Sequence, residues 1–329
     1  MIFLLSRLLQ AAIVLAVTAF ISFALVRYIG DPVNNMAGQA ATLAERKEMR
    51  RAIGLDRPVF IQFLKFAQNA LSGNLGVSYR YGVPVRQLLI ERLPASLELS
   101  LCAMLIASAL GVPLGVWTAI HRESFWTRVL LGLSIIGVAL PTFLIGIVLI
   151  LIFSVWLHWL PAFGRGSVTD LGGWTTGLFT GDGLRALVLP SLTLGLFEMT
   201  LIMRLARAEV SEVLRSDFIR FARGRGLSPF KLHYRHALGN ALIPLITIIS
   251  LQFGNLFAFA IIVETVFQWP GLGLLVIQAI QYADVPVLSA YLVLISGFFA
   301  LTNLVVDSLS FAIDPRLHGG SIMPAGGTG

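Results

Sequence analysis

The sequence predicts an all-α polytopic membrane protein with six transmembrane helices, and three observations carry that prediction. Six apolar runs are each long enough to cross a bilayer, the composition is that of a membrane protein, and the cations sort onto one set of connections. A spanning helix needs about 20 apolar residues to cross about 30 Å of hydrocarbon. The 329-residue chain is 57% hydrophobic and 12% charged, with a mean hydropathy of +0.84, against about 45–50% and about 25% in soluble domains. Its net charge of +7 therefore points to membrane topology rather than to nucleic acid, because the cations flank apolar runs.

The runs are 8–26, 99–120, 129–157, 187–205, 242–263 and 287–313. The first is too long for a signal peptide, and no small-x-small cleavage pattern follows it, so it reads as an uncleaved span. The third has 29 residues, which rise about 43 Å as a helix. Pro141 near its middle removes a backbone hydrogen bond, so that helix must bend or tilt. Six spans place both termini on one side. That side gathers the N-terminal tail, "HRESFWTR", residues 204–240 and the C-terminal tail, with twelve Lys/Arg in all, whereas connections 158–186 and 264–286 carry only Arg165 and Arg185. Short loops rich in Lys/Arg stay in the cytoplasm, so both termini and the 204–240 segment are expected there.

The chain divides into a first span with a long outer loop (1–98), a five-helix core (99–315) with a cytoplasmic loop at about 206–240, and a short tail (316–329). Within the outer loop, "DRPVFIQFLKFAQNALSG" offers Asp56 as an N-cap, Pro58 in the first turn, and Val59, Phe63, Phe66 and Ala70 at near-helical spacing before Gly73. This is a short amphipathic helix lying against the outer face. Whether it is a plain surface helix or a dock for an extracytoplasmic protein is open at this stage.

"FARGRGLSPFKLHYRHALGN", residues 221–240, is strongly basic and lacks any acid. From Ser216 it reads as two short helices with a hinge. Ser216 caps the first and Asp217 suits its positive end. Gly226 suits the left-handed conformation that ends a helix. Ser228 caps the second, with Pro229 in its first turn. Phe218, Phe221 and Ala222 form a narrow apolar edge flanked by Arg220 and Arg223, a shape suited to a groove on a soluble partner. A merely positive-inside loop accounts for the composition equally well. His233 and His236, without a nearby carboxylate or thiol, make a poor metal site, and lone Cys102 gives neither disulfide nor cluster. No metal site is expected.

The same segment resembles the EAA loop of membrane subunits of bacterial ABC importers: EAA, three residues, Gly, nine residues, I-x-L-P. With Gly226 at the family glycine, Arg220, Phe221 and Ala222 stand at EAA, and Ala222, Gly226 and Leu238 coincide with the consensus. The resemblance to the dipeptide/oligopeptide (and nickel) permease branch is broader. It rests on "ARGRGLS" from Ala222, "RHALGNALIP" from Arg235, "ETVFQWPGLG" from Glu264, "NLVVD" from Asn303 and "DPR" from Asp314. "GDP" at Gly30, "GLDRP" at Gly54 and "GNLGVSY" at Gly73 add to it. The resemblance implies a type I ABC importer permease architecture in a bacterial cytoplasmic membrane. It implies a second homologous permease, two ABC ATPase subunits that bind ATP and Mg, and an extracytoplasmic substrate-binding protein. Asp217, Phe218, Arg220, Phe221, Ala222, Arg223, Gly226, Leu227 and Ser228 then become the coupling element. Consistently, the chain has no G-x-x-x-x-G-K-[ST], so ATP would be bound elsewhere and no cofactor is expected in this chain.

Ionisable groups at membrane depth are candidate functional sites. Glu198, Glu264 and Asp307 fall there, and a proton-coupled secondary transporter using all three is the alternative reading. Ser289, Ser296, Asn303, Asp307 and Ser310 share one face of span six, fitting a packing seam better than a path. Gln252 and Asn255 share a face of span five and suit contact with a polar solute. Gln252, Asn255, Asn303 and Asp307 are thus the translocation-path candidates. Glu264 precedes the turn formed by Pro270, Gly271 and Gly273, where it is expected to accept backbone N–H bonds. No paired aspartates, G-x-S-x-G or H-E-x-x-H motif stands at membrane depth, so an intramembrane enzyme is not expected.

Overall fold

The computed structural model describes residues 2–28, 42, 44, 45, 48, 51 and 56–313. "GDP" at Gly30, the first residues of "GLDRP", "DPR" and the 321–329 tail lie outside the described residues. The elements include α1 (Ile2–Tyr28), α2 (Val59–Leu71), α3 (Val85–Ile120), α4 (Phe125–Ala139), α5 (Thr142–Leu149), β1 (Thr169–Asp170), β2 (Thr175–Thr176), α6 (Gly181–Arg215), α7 (Asp217–Gly224), α8 (Leu238–Val266), α9 (Leu272–Gln281) and α10 (Val285–Ile313). Among the described residues, five helices are long and apolar enough to cross a membrane, and the bent pair around Pro141 makes a sixth if it counts as one crossing.

Pro141 stands immediately before α5, two residues after α4 ends at Ala139, and the helix direction bends by 105° between the two arms. Beyond α5 the chain widens into a π-helical turn, Ile150–Trp156. The second span begins at Val85, well before the apolar run at 99. Glu91, Arg92 and Glu98 interrupt the hydropathy there, but Glu98 is consumed internally, so the helix passes through them. Helix α6 likewise continues to Arg215, and the loop proper starts only at Ser216.

The core is built on α3, α6 and α8. Leu99, Ala103 and Ala107 of α3 pack with Leu189, Leu194 and Ile202 of α6 and with Leu256, Ala260 and Val263 of α8. Small residues let α3 and α6 approach backbone to backbone. A methyl on Gly115 would overlap Ala206 and the Met203 carbonyl, and one on Gly195 would press on the Ala103 carbonyl. A second cluster joins Leu88 and Leu89 of α3 to Leu275 and Val276 of α9 and Val287 and Tyr291 of α10.

Helix α1 packs along α10, leaving most of its own surface outward. At its end α2 crosses it, with Phe63 against Phe20 and Phe23 at 5.7 and 5.8 Å. Pro58 occupies the cap position of α2 and no side chain caps it, so Asp56 is not the N-cap that the sequence suggests. The proline already supplies the extended entry, and its carbonyl accepts from Ile61 and Gln62.

Candidate functional site

Four polar sites and one surface knob carry the chemistry of the fold. The first site sits where α8 turns into α9. The backbone reverses through Gln268 in the left-handed region, and the Trp269 N–H returns to the Glu264 carbonyl at 2.8 Å. Glu264 is fully buried. Its carboxylate accepts from the N–H groups of Gly273 (2.7 Å) and Leu274 (3.1 Å) and from the Ser96 hydroxyl of α3. Ser96 Oγ in turn accepts from the Leu272 N–H at 2.7 Å. A Cβ on Gly271 would overlap both Glu264 oxygens and Ser96 Oγ, so only glycine fits. The Trp269 indole N–H reaches the Ala95 carbonyl at 2.9 Å, and Pro270 stands in the turn between Trp269 and Gly271.

Two residues along α3 lies a feature that the sequence reading did not single out. Glu98 and Arg165 form a buried ion pair, with Arg165 Nε donating at 3.0 Å. Arg165 also donates to Thr175 Oγ1 (3.0 Å) and the Thr175 carbonyl (2.7 Å), while Glu98 accepts from the Gly177 N–H at 2.9 Å. The Arg165 guanidinium lies 5.9 Å from the Trp269 ring, so both carboxylate sites flank one indole. The available signal was a lone acid at the edge of an apolar run and one of two cations in a short connection.

Asp284 is a third buried carboxylate that sequence reasoning missed. It accepts from the Ser78 hydroxyl and from the N–H groups of Tyr79 (3.2 Å) and Arg80 (3.3 Å). Arg80 stacks over Tyr282 at 3.5 Å. "GNLGVSY" thus wraps an acid at the start of α10.

Midway along α6 and α8 the structure brings Glu198, Gln252 and Asn255 together. Gln252 Nε2 lies 3.5 Å from Glu198 Oε2, and Asn255 Nδ2 donates to Gln252 Oε1 at 3.0 Å. Glu198 is buried and Asn255 is exposed, so a polar chain leads from the core of α6 to the surface of α8. Asn303 and Asp307 are elsewhere, on the α10 face that meets α1. There Ser296 bonds Thr18 at 3.0 Å and Asp307 pairs with Arg7 at 3.0 Å.

The knob follows α6. Ser216 adopts the extended backbone of an N-cap, but its hydroxyl turns back to the Val213 carbonyl at 2.7 Å and does not cap α7. Gly226 takes φ +77° and reverses the chain. Leu227 is half-buried, the Ser228 carbonyl accepts from Leu232 N–H at 3.0 Å, and Pro229 opens a turn that widens into the π-helical segment Lys231–Ala237 and α8. Ile219, Ala222, Leu232 and Ala237 are buried together. Ala222 therefore faces inward with Ile219, three residues before it, and is not part of the exposed apolar edge. That edge is Phe218, Phe221 and Phe230, at 51%, 66% and 71% exposure. Asp217 and Arg220 pair in solvent at 3.2 Å, Arg223 is exposed beside them, and Arg225 lies 5.5 Å from the Phe221 ring. His236 stacks edge-on to Phe218 at 5.8 Å. Burial, then the Arg223 and His121 charges, hold the His233 pKa below the usual imidazole value. No group of three His, Cys, Asp or Glu that could hold a metal occurs among the described residues.

Comparison with known proteins gives the frame for these sites. The family model for the binding-protein-dependent transport system inner membrane component matches residues 111–319, and the model for its N-terminal part matches residues 1–100. A probable peptide ABC transporter permease protein of Sinorhizobium fredii is 37% identical over 96% of this chain and 99% of its own length. The dipeptide transport system permease protein DppB of Escherichia coli K12 is 37% identical over 91% of this chain and 93% of its own. A di/tripeptide transport system permease protein of Pseudomonas aeruginosa is 38% identical over 91% and 93%. Among solved structures, a chain of the inward-facing MetNI methionine ABC transporter aligns with a TM-score of 0.56 at 18% identity, covering 69% of this chain and 96% of that one, which places the fold as that of type I ABC importer permeases. With both family models and full-length relatives in agreement, this chain belongs to the family of binding-protein-dependent transport system inner membrane components.

Proposed function

We propose that the chain is one of two related permeases that together form a path for peptides or chemically similar small solutes across a bacterial cytoplasmic membrane. Two separate ATPase subunits, which bind ATP and Mg, drive the pair through the 216–237 knob, and an extracytoplasmic binding protein delivers the solute. Both termini and the knob face the cytoplasm. The chain carries no hydrolytic site of its own and binds no nucleic acid.

The observation that carries this reading is the knob. One side of it is fixed by Ile219, Ala222, Leu232 and Ala237, and the other presents Phe218, Phe221 and Phe230 within a rim of arginines. A loop with no partner has no reason to order itself so as to expose aromatic rings, whereas a helix pressed into a groove needs this division. Peptide as the solute class follows the names of the relatives. Gln252 and Asn255 supply the neutral hydrogen-bonding groups that a peptide backbone requires.

A proton-coupled carrier needs its carboxylates along one route. Here Glu264 is saturated by N–H and hydroxyl donors, Asp307 is paired with Arg7, and Glu198 stands apart with Gln252. Purification of the tagged chain from its native membrane in mild detergent, with mass spectrometry of the associated subunits, tests the proposal. Recovery of a second permease and P-loop ATPases supports it. Transport in liposomes by this chain alone, without ATP, overturns it.

A further inference from the structure

We propose that the cleft between the end of α1, helix α2 and the first turns of α10 is a binding site for one anionic phospholipid. Arg27, Arg57 and Lys65 hold its phosphate, and its acyl chain lies along Phe23, Val26 and Val293. The inference is independent of what the protein transports.

The cleft is a cavity of about 680 Å³, within the range of about 300–1,000 Å³ typical of small-molecule sites. The crossing of α1 by α2 creates it. Phe63 and Phe66 clamp Phe23 at 5.8 and 5.9 Å on one side of it. The far wall is residues 74–79, pinned by Asp284, and the floor is Pro286, Ser289, Ala290 and Val293 of α10.

The lining is mixed: Phe23 and Val26 of α1 and Ala290 and Val293 of α10, two helices long and apolar enough to cross a membrane, supply apolar surface, joined by Ile61 and Phe66 of α2. The cations stand where those spans end: Arg27 in the last turn of α1, Arg57 just before α2, and Lys65 on α2. Gln62, itself buried, accepts from Arg27 Nη1 and donates from Nε2 to the Arg57 carbonyl at 2.6 Å, holding the two arginine residues on one rim. Among the described lining residues there is no acid to answer these charges.

A soluble anion would satisfy the rim and leave the apolar wall wet. A zwitterionic or uncharged lipid would fill the wall and leave net positive charge unanswered. A phospholipid with a net negative headgroup matches both the cations and the apolar surface, and Lys/Arg close to a membrane surface attract anionic lipids. The exposed apolar face of α1, with Val17, Phe20 and Ile21, gives a lipid lateral access from the bilayer.

The test uses the full chain purified with its accompanying subunits, stripped of lipid in detergent and titrated with phosphatidylglycerol or phosphatidylethanolamine under native mass spectrometry. Phosphatidylglycerol should bind in preference, with one tight adduct per chain. The pair Arg27→Gln and Lys65→Gln should weaken that adduct by about fivefold per cation and bring the two lipids level. In parallel, a photoreactive residue at Val293 should yield an adduct with the mass of a phospholipid. Equal retention of both lipids by the unmodified protein overturns the proposal, as does an unchanged adduct in the double variant. A photo-adduct mapping to residues 29–55 of the same chain overturns it too, since the cleft would then be filled from within.

Discussion

The Ser96 hydroxyl donates to Glu264 Oε1 and accepts the Leu272 N–H at 2.7 Å, so one α3 side chain is bonded to both ends of the α8–α9 corner. Glu264→Ala would orphan the Gly273 and Leu274 N–H groups and the Ser96 hydroxyl in a buried setting. At about 1–3 kcal/mol for each orphaned group, melting in detergent should fall steeply. Ser96→Ala should cost less, because it strands chiefly one backbone N–H. Gly271→Ala should resemble Glu264→Ala, since its methyl would enter the same carboxylate. An unshifted melting temperature for Glu264→Ala would mean that the corner is held by something else.

The Glu98–Arg165 pair tests the neighbouring anchor. Removing either partner leaves a buried charge uncompensated, which costs about 3–5 kcal/mol. The double variant Glu98→Ala, Arg165→Ala should be more stable than the sum of the singles predicts. Additive losses in a thermal double-mutant cycle would show that the two residues do not act as a unit.

Phe221→Ala should weaken capture of the ATPase subunits by about thirtyfold, the scale of an aromatic hot spot worth about 2 kcal/mol, with the melting of the membrane helices unchanged. Ile219→Asp should abolish capture by undoing the mount, because Ile219 is buried in the knob's own core. A Cβ added at Gly226 meets no atom within 4 Å, so the first penalty of Gly226→Val is the left-handed backbone, about 1–2 kcal/mol. That penalty should appear as a several-fold loss of solute-stimulated ATP hydrolysis. Normal transport by Gly226→Val would remove the case for this loop as the coupling element.

His233 gives the knob a pH dependence of defined sign. Its pKa is lowered in the folded protein, by burial first and then by Arg223 and His121, so the unfolded loop binds the proton more readily. The stability it contributes is complete above the ordinary imidazole value of about 6.5 and is lost as the pH falls below it. Proteolysis of the 216–237 segment should therefore speed up on acidification relative to His233→Gln, measured with a protease insensitive to that pH range. A parallel response in both proteins would assign the effect to other groups.

How much of this was legible in the sequence depended on whether a residue acts locally. The six runs, the bend at Pro141, and the chain reversal at Gly226 are set by neighbours in sequence, and the sequence shows them. Ala222 could not be placed from spacing, because which of two apolar rows on α7 turns inward depends on Leu232 and Ala237 across the reversal. Ser216 misled for a similar reason: a hydroxyl that could cap α7 found the Val213 carbonyl behind it instead. Glu98, Arg165 and Asp284 stayed hidden because each partner lies far away along the chain, from 67 positions for Arg165 to 206 for Ser78. The hydropathy dip that Glu98 causes also delayed the start of the second span.

The close approach of α3 and α6 has a mechanical consequence. Gly195 meets Ala103, and Gly115 meets Met203 and Ala206. The two meeting points are twelve residues apart on α3, about 18 Å along the rod. Two fixings at that distance leave no freedom to swivel or slide, so the pair moves as one beam. The beam carries the 216–237 knob at the Arg215 end and the Glu98 anchor towards the other. A tug on the knob is then delivered, undiminished by slippage, to the opposite surface of the membrane.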